Sequence, residues 1–213
     1  MWRLGLKDIS KQFPGVKALD SVDFNLRPGE VHAFCGENGA GKSTLMNILS
    51  GNLQPDTGMI NINGGRVVFD NPQSAFNAGI AIVYQHLSLV DSMSVAENIY
   101  ANQQPRNNFG IIDFKLLYQN TSRLLQQLHI DINPKTLVSK LSPAQKQMIE
   151  IAKALSRNPQ ILICDEPTAS LTERETAVLF EIIRGLKDKQ VSVIYISHRL
   201  SEIFRIADRI TVL

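Results

Sequence analysis

Val31-His32-Ala33-Phe34-Cys35 runs straight into Gly36-Glu37-Asn38-Gly39-Ala40-Gly41-Lys42-Ser43-Thr44, and an apolar helical stretch over Ser43–Leu49 follows. The nine-residue segment fits G-x-x-x-x-G-K-[ST] and sits between a strand and a helix, the context in which that pattern cradles nucleotide phosphates. Glycine lets the backbone wrap closely around oxygen atoms because it carries no Cβ. Successive N–H groups then converge at a helix N-terminus as a nest for an anion. Lys42 places a positive charge on the outer phosphates, and Ser43 offers a hydroxyl to Mg²⁺. The candidate nucleotide-binding residues are therefore Gly36, Asn38, Gly39, Ala40, Gly41, Lys42, Ser43 and Thr44.

Outward from this loop, short β-branched runs alternate with helical stretches, which predicts an α/β fold of the P-loop NTPase class. Val31–Cys35, Ile80–Tyr84, Ile161–Cys164 and Val191–Ile196 read as buried strands. Arg3–Ile9 and Ser21–Leu26 alternate more and predict an antiparallel N-terminal region, continued by Gly58–Ile62 and Arg66–Phe69 around an Asn63-Gly64-Gly65 turn. Together they predict a mixed sheet core. From about 86 to 158 the strand signals nearly vanish. Phe114–Leu128 carries leucines at helical spacing, and Ser142-Pro143 opens a second long helix. The expected organisation is a catalytic core of 1–85 and 159–213 with an inserted helical subdomain over 86–158. Thr172 and Glu175 predict a capping box for a helix running to about Lys187.

Composition narrows the function classes. Among 213 residues, 22 Lys and Arg stand against 20 Asp and Glu, so neither a strongly basic nucleic-acid binder nor a charged disordered tail is indicated. No apolar run reaches the roughly 18 residues of a bilayer span. The two cysteines, Cys35 and Cys164, lie in separate apolar runs and read as buried thiols of a reducing compartment. The Asn-Lys-x-Asp and Asp-x-x-Gly strings that a GTPase would carry are absent, which disfavours GTP.

A second site of chemistry lies in Ile161-Leu-Ile-Cys-Asp165-Glu166-Pro-Thr168. A buried strand ending in two carboxylates can deliver Asp165 to Mg²⁺, and Glu166 can polarise a water for attack on the terminal phosphate.

With both acidic residues and the phosphate loop in place, the chain resembles the nucleotide-binding domains of ABC transporters along nearly its whole length. Further motifs fall in that family's order. Gln85 matches the Q-loop glutamine, Leu141-Ser142-Pro143-Ala144-Gln145 the signature, Ala169-Ser170-Leu171-Thr172 the D-loop, and His198 the switch histidine. Phe13 stands where an aromatic stacks on adenine. The resemblance implies ATP and Mg²⁺ as cofactors, with Ser43, Gln85 and Asp165 at the metal. It implies Glu166, His198, Gln85 and Lys42 as catalytic, and Ser142 and Gln145 as contacts to the nucleotide of an opposing domain. It further implies head-to-tail pairing with a second nucleotide-binding domain, transmembrane permease subunits, a solute-binding protein acting through them, and a peripheral place on the cytoplasmic face of the membrane.

The signature departs from the family pattern, with Pro143 and Ala144 where two glycines are usual; proline donates no N–H to a phosphate. Thr172 replaces the usual D-loop aspartate. Phe13-Pro-Gly-Val-Lys-Ala-Leu19 and Gln147-Met-Ile-Glu-Ile-Ala-Lys-Ala-Leu-Ser156 look like the ATPases of ribose-, galactose- and xylose-type importers, in which two such domains are fused. The chain resembles the N-terminal one, and its end in Ile210-Thr-Val-Leu213 is expected to mark a cut within the domain. A soluble ABC ATPase acting on ribosomes or DNA is the alternative, although neither a long charged linker nor a coiled-coil insertion is visible. A non-catalytic ATP-binding module is disfavoured by the full motif set.

Overall fold

The computed structural model describes residues 1–37 and 39–213. In chain order its strands and helices begin with β1 (Leu4–Phe13), β2 (Val16–Leu26), β3 (Val31–Cys35) and α1 (Lys42–Leu49). Next come β4 (Thr57–Ile62), β5 (Gly65–Val67), α2 (Pro72–Asn77), β6 (Ile80–Val83), α3 (Val95–Ile99), α4 (Phe114–Gln127) and α5 (Pro143–Leu155). The chain continues through β7 (Ile161–Asp165), α6 (Glu173–Asp188), β8 (Ser192–Ile196), α7 (Leu200–Ile206) and β9 (Arg209–Val212). It divides into two compact units, one of residues 1–82, 159–166 and 183–213, the other of 83–158 and 167–182.

The first unit holds two sheets. An antiparallel sheet has the order β2-β1-β4-β5; a second sheet has the order β6-β7-β8-β3-β9, with parallel pairing from β7 through β9. One apolar cluster joins them. It includes Leu4, Leu6 and Ile9 of β1, Phe34 of β3, Ile163 of β7, Ile194 of β8, and the inward face of α1 through Leu45, Ile48 and Leu49. That shared core fixes α1, and with it the loop preceding α1, against the carboxyl ends of the parallel strands. Asn63 and Gly64, at φ 51° and 83°, make the turn expected between β4 and β5, since both central residues adopt positive φ.

β1 and β2 run longer than their alternation predicts. They form a hairpin around Pro14-Gly15, with Phe13 opposite Val16 and Leu4 opposite Leu26. Register shifts interrupt the pairing between Leu6 and Gln12, and Asp8 and Ser21 take positive φ of 54° and 48°. Each bulge flips the side-chain alternation, which hides a continuous strand from a period-two pattern. The bulges are held by polar bonds: Asp8 N–H donates to Asp23 Oδ1 at 2.7 Å and Ser21 N–H to Ser10 Oγ at 2.9 Å.

The second unit is helical. α4 buries Leu117, Thr121 and Leu125, a stripe at four-residue spacing, and α5 buries Met148, Ile149, Ile151, Ala152 and Leu155. Asn98 of α3 is buried and uses its whole amide: Oδ1 accepts from Val90 N–H at 2.7 Å, and Nδ2 donates to the Val90 and Ser94 carbonyls. Glu150 of α5 accepts a bond from the Ser88 backbone N–H, and Lys153 Nζ donates to Ser88 Oγ at 2.8 Å. Lys146 Nζ reaches Asp91 Oδ1 at 2.6 Å. These bonds fasten the segment after Gln85 to α5. Among the described residues no helix is long and apolar enough to cross a membrane.

Candidate functional site

Three adjacent parallel strands end together in the first unit, and each delivers one motif. β3 ends at Cys35 and releases the phosphate loop. β8, beside it, ends at Ile196, two residues before His198. β7, on the other side of β8, ends at Asp165, whose register partner is Ile196. Ligand sites of open parallel sheets form at these carboxyl ends.

The loop is built by backbone geometry. Gly36, Gly39 and Gly41 have φ of 151°, 92° and 95°. A Cβ on Gly36 would lie 2.6 Å from the Leu213 carbonyl, and one on Gly41 would lie 2.5 Å from the Ala18 carbonyl. Both positions therefore need glycine for space as well as for φ. Lys42 Nζ donates to the carbonyls of Gly36 and Glu37 at 2.7 and 2.8 Å, closing the loop across its own helix. Ala40 N–H donates to the Glu37 carbonyl at 3.2 Å. Asn38 lies outside the described residues. Gly41 is the N-cap of α1, and no side chain among the described residues caps that end. By contrast Asn71, Ser94, Asp113 and Ser142 cap α2, α3, α4 and α5 with their side chains. The first-turn N–H groups of α1 thus keep their donor capacity for an external anion, which fits a nucleotide phosphate. Ser43 is exposed in that first turn and Thr44 is half-buried.

Asp165 is half-buried. Burial, and then the neighbouring Glu166 charge, push its carboxyl above the usual carboxylate range, while Lys42 pulls it back. A divalent cation would relieve the same strain on the ionised form, and a carboxylate with a serine hydroxyl and phosphate oxygens is the hard-oxygen set that Mg²⁺ prefers. Among the described residues no cluster of three or more His, Cys, Asp or Glu could hold a metal alone. Asp165 and Ser43 fit a cation that nucleotide oxygens help to bind.

Glu166 sits at φ 46°, in the left-handed region that a non-glycine residue enters at a cost of about 1–3 kcal/mol. Its N–H donates to the Ile196 carbonyl at 3.0 Å, which holds the turn. The result is a carboxylate within 2.9 Å of His198 Nδ1, with the histidine side chain 66% exposed and the glutamate 25%. Lys42, Asp165, Glu166 and His198 are thus gathered in the first unit.

Phe13 closes β1, 39% exposed, with Lys11 Nζ 6.0 Å from its ring centroid. An open aromatic face at a strand end suits stacking on a base. Gln85, Ser142 and Gln145 belong to the second unit. Gln85 is exposed just after β6. Ser142 Oγ accepts from Gln145 N–H at 3.2 Å, and Gln145 Oε1 accepts from Ser142 N–H at 2.9 Å, a capping box with Pro143 as the first helical residue. Thr172 and Glu175 form the same reciprocal pair at α6.

One set of polar residues beside the site escapes motif reading. Tyr195, inside the run Val191–Ile196 that reads as a buried strand, donates its hydroxyl to Glu202 Oε2 at 2.9 Å. Ser197 Oγ lies 3.3 Å from the same oxygen, and Arg199 Nη1 lies 3.1 Å from Glu202 Oε1. Glu202 is buried on a helix too short to show periodicity; an acidic residue four positions after His198 was the available signal.

The profile of the ABC transporter family matches residues 19–169. A protein of Agrobacterium fabrum named for ribose/galactose/methyl galactoside import and ATP binding is 56% identical over 210 residues, 99% of this chain and 41% of its own length. The xylose import ATP-binding protein of Moorella thermoacetica is 51% identical over 212 residues, 99% of this chain and 42% of that protein. The chain spans about two fifths of the length of these curated relatives, 41% for the first. Among solved structures, the ADP conformation of MJ1267, an ATP-binding cassette of an ABC transporter, aligns with a TM-score of 0.88 and 26% identity over 100% of this chain and 87% of that one. A nucleotide-free ATP-binding cassette aligns at 0.87 with 27% identity, over 100% and 88%.

Proposed function

The chain belongs to the ABC transporter family and folds as its ATP-binding cassette, and from that premise we propose that it binds and hydrolyses ATP to power an importer of a simple sugar. The observation that carries the hydrolytic reading is the Glu166–His198 pair at 2.9 Å, beside a lysine-closed phosphate loop. The sugar rests on kinship with proteins named for ribose, galactose and xylose import.

ATP with Mg²⁺ supplies the reacting phosphoryl group and the charge that activates it. Lys42 exchanges its loop carbonyls for phosphate oxygens, and the first-turn N–H groups of α1 fix the phosphate chain. Ser43 and Asp165 would hold the cation. Phe13 stacks on the adenine. Glu166 accepts a hydrogen bond from the attacking water and orients it in line. His198, with one nitrogen bonded to Glu166, would offer the other to the terminal phosphate. Positioning and charge stabilisation supply most of the rate.

The remaining parts of the reading extend beyond one cassette. Ser142 and Gln145 complete the nucleotide site of a second domain closed head to tail against this one. The helical unit and the Gln85 segment engage a membrane permease, which receives sugar from a solute-binding protein, so the cassette works at the cytoplasmic face without crossing the bilayer. Reconstitution of the full-length protein with its permease in liposomes tests this: ATP hydrolysis should rise when the loaded solute-binding protein is added, and sugar should accumulate only with ATP. Hydrolysis indifferent to permease and sugar would defeat the transport reading.

A further inference from the structure

The turn from β8 into α7 carries His198, and the residues on both sides of that histidine are held by one buried carboxylate. Glu202 is 6% exposed, and its partners Tyr195 and Ser197 are 0% and 3% exposed. Glu202 Oε2 accepts the Tyr195 hydroxyl at 2.9 Å and the Ser197 hydroxyl at 3.3 Å, while Oε1 accepts Arg199 Nη1 at 3.1 Å. A fourth bond closes the ring of contacts: Arg199 N–H donates to Ser197 Oγ at 3.0 Å. His198 is the one residue of 197–199 whose side chain leaves this network; it is exposed and reaches Glu166 instead.

We infer that Glu202 is a positioning residue for phosphoryl transfer: it fixes the backbone on both sides of His198 so that the imidazole meets Glu166 and the terminal phosphate. The inference rests on the hydrolytic reading above. A carboxylate in a desolvated place adds little net stability, and an apolar side chain of similar volume often replaces one without loss. What three converging donors on two oxygens do supply is a single geometry, because each bond restricts a different residue of the turn. An exposed histidine on an unbraced turn would sample many orientations, and misplacement of a reacting group by about 1 Å costs up to roughly a hundredfold in rate. The base and the histidine come from different strands, so their 2.9 Å separation depends on the β8–α7 turn keeping its shape.

The test is steady-state ATP turnover of the full-length protein in its transporter complex. Glu202→Ala should lower kcat by about 10- to 100-fold and leave KM for ATP within about threefold, because the turn meets the reacting end of the nucleotide and not its base. Glu202→Gln keeps an oxygen for the Tyr195 and Ser197 hydroxyls and should retain turnover within about fivefold of the parent, a rescue that charge alone would not give. Combining Tyr195→Phe with Ser197→Ala removes both hydroxyls at nearly constant volume and should reproduce the kcat loss, so the test stands even if Glu202→Ala fails to fold. The deciding measurement is the cycle with His198→Ala. If Glu202 acts through His198, adding Glu202→Ala to His198→Ala changes kcat by less than about twofold. Effects that multiply would make Glu202 merely structural and overturn the inference while leaving the hydrolytic site intact. A His198→Ala variant with unimpaired turnover would overturn the inference and remove His198 from the mechanism, while leaving hydrolysis itself standing.

Discussion

His198 Nδ1 and Glu166 Oε1 lie 2.9 Å apart across 32 residues of chain, joined by the ends of two neighbouring strands. The pair places a carboxylate that can receive a water proton against a ring that can carry charge toward phosphate. Replacing Glu166 by Gln keeps the size and an oxygen for the histidine while removing the basic carboxylate. ATP affinity should stay within about threefold, and turnover should fall by about 10²–10⁴-fold, the range for a lost general base. A fluorescent-nucleotide titration beside a phosphate-release assay separates the two; parallel loss of binding and turnover would place Glu166 in the binding site only.

Lys42 bonds two carbonyls of its own loop, so it both shapes the loop and offers the charge. Lys42→Ala should weaken ATP binding by about 10- to 100-fold, the equivalent of a charge-assisted hydrogen bond of about 1.5–3 kcal/mol. Adenosine, which has no phosphate, should bind the variant and the parent alike in calorimetry. A matched loss for adenosine would mean that the loop had collapsed, not that a phosphate contact had gone.

Much of this site is legible in the chain because its chemistry is local. The phosphate loop, Asp165 and Glu166 each follow a short buried strand, and Ser142 and Thr172 cap helices through partners three residues on. The parts that are not legible depend on distant segments. The left-handed backbone at Glu166 has no sequence mark, since only the meeting of β7 with the Ile196 carbonyl imposes it. β1 and β2 look short because bulges at Asp8 and Ser21 break their alternation. α2, α3 and α7 have 6, 5 and 7 residues, too few to display a 3.6-residue period. The Tyr195–Glu202 bond joins a fully buried strand to a helix that periodicity does not reveal.

Gly41 gives a prediction about stability instead of chemistry. At φ 95°, with Ala18 O 2.5 Å from a virtual Cβ, alanine meets both backbone strain and a backbone oxygen that has no rotamer to yield. Gly41→Ala should destabilise the first unit by about 1–3 kcal/mol and weaken nucleotide binding as the loop moves away from β2. Gly185→Ala, in open space, is the control and should leave the urea midpoint unchanged or slightly raised. Equal midpoints for Gly41→Ala and the parent would refute the close-approach argument.

His32 predicts the direction of a pH response. It is buried against Phe24 and Phe34, with Nδ1 3.1 Å from Glu30 Oε1 and Nε2 2.8 Å from Thr211 Oγ1, while Arg209 bonds the same Glu30 oxygen at 3.1 Å. Burial, only partly opposed by Glu30, pushes the imidazole below its ordinary value of 6.5. In the unfolded chain the ring takes up a proton near 6.5, whereas the folded protein resists it, so the unfolded state binds more protons on the acid side. The contribution of neutral His32 is intact above that value and is lost as pH falls through the lowered folded pKa. Unfolding free energy measured in urea from about pH 7.5 to 5 should therefore drop for the parent, and His32→Gln should show a shallower drop. Identical slopes would show that other groups set the acid response.

The proposed pairing gives Ser142 two tasks that a pair of variants can separate. Its Oγ accepts from Gln145 N–H at 3.2 Å, which caps α5, while its hydroxyl proton remains available to a phosphate of an opposing domain. On the proposed pairing, Pro143 supplies no N–H to that phosphate, which leaves more of the grip to the serine than two glycines would. Ser142→Ala should lose the cap, about 1 kcal/mol of stability, and also the phosphate contact. Ser142→Asp keeps an acceptor for Gln145 N–H and should preserve stability, yet it presents a negative charge to the opposing nucleotide. Nucleotide-dependent pairing of domains, followed by light scattering in a Glu166→Gln background, should fail for both variants while only Ser142→Ala shows a lowered urea midpoint. If Ser142→Asp pairs normally, the serine serves α5 alone and the opposing phosphate is held by later N–H groups of that helix.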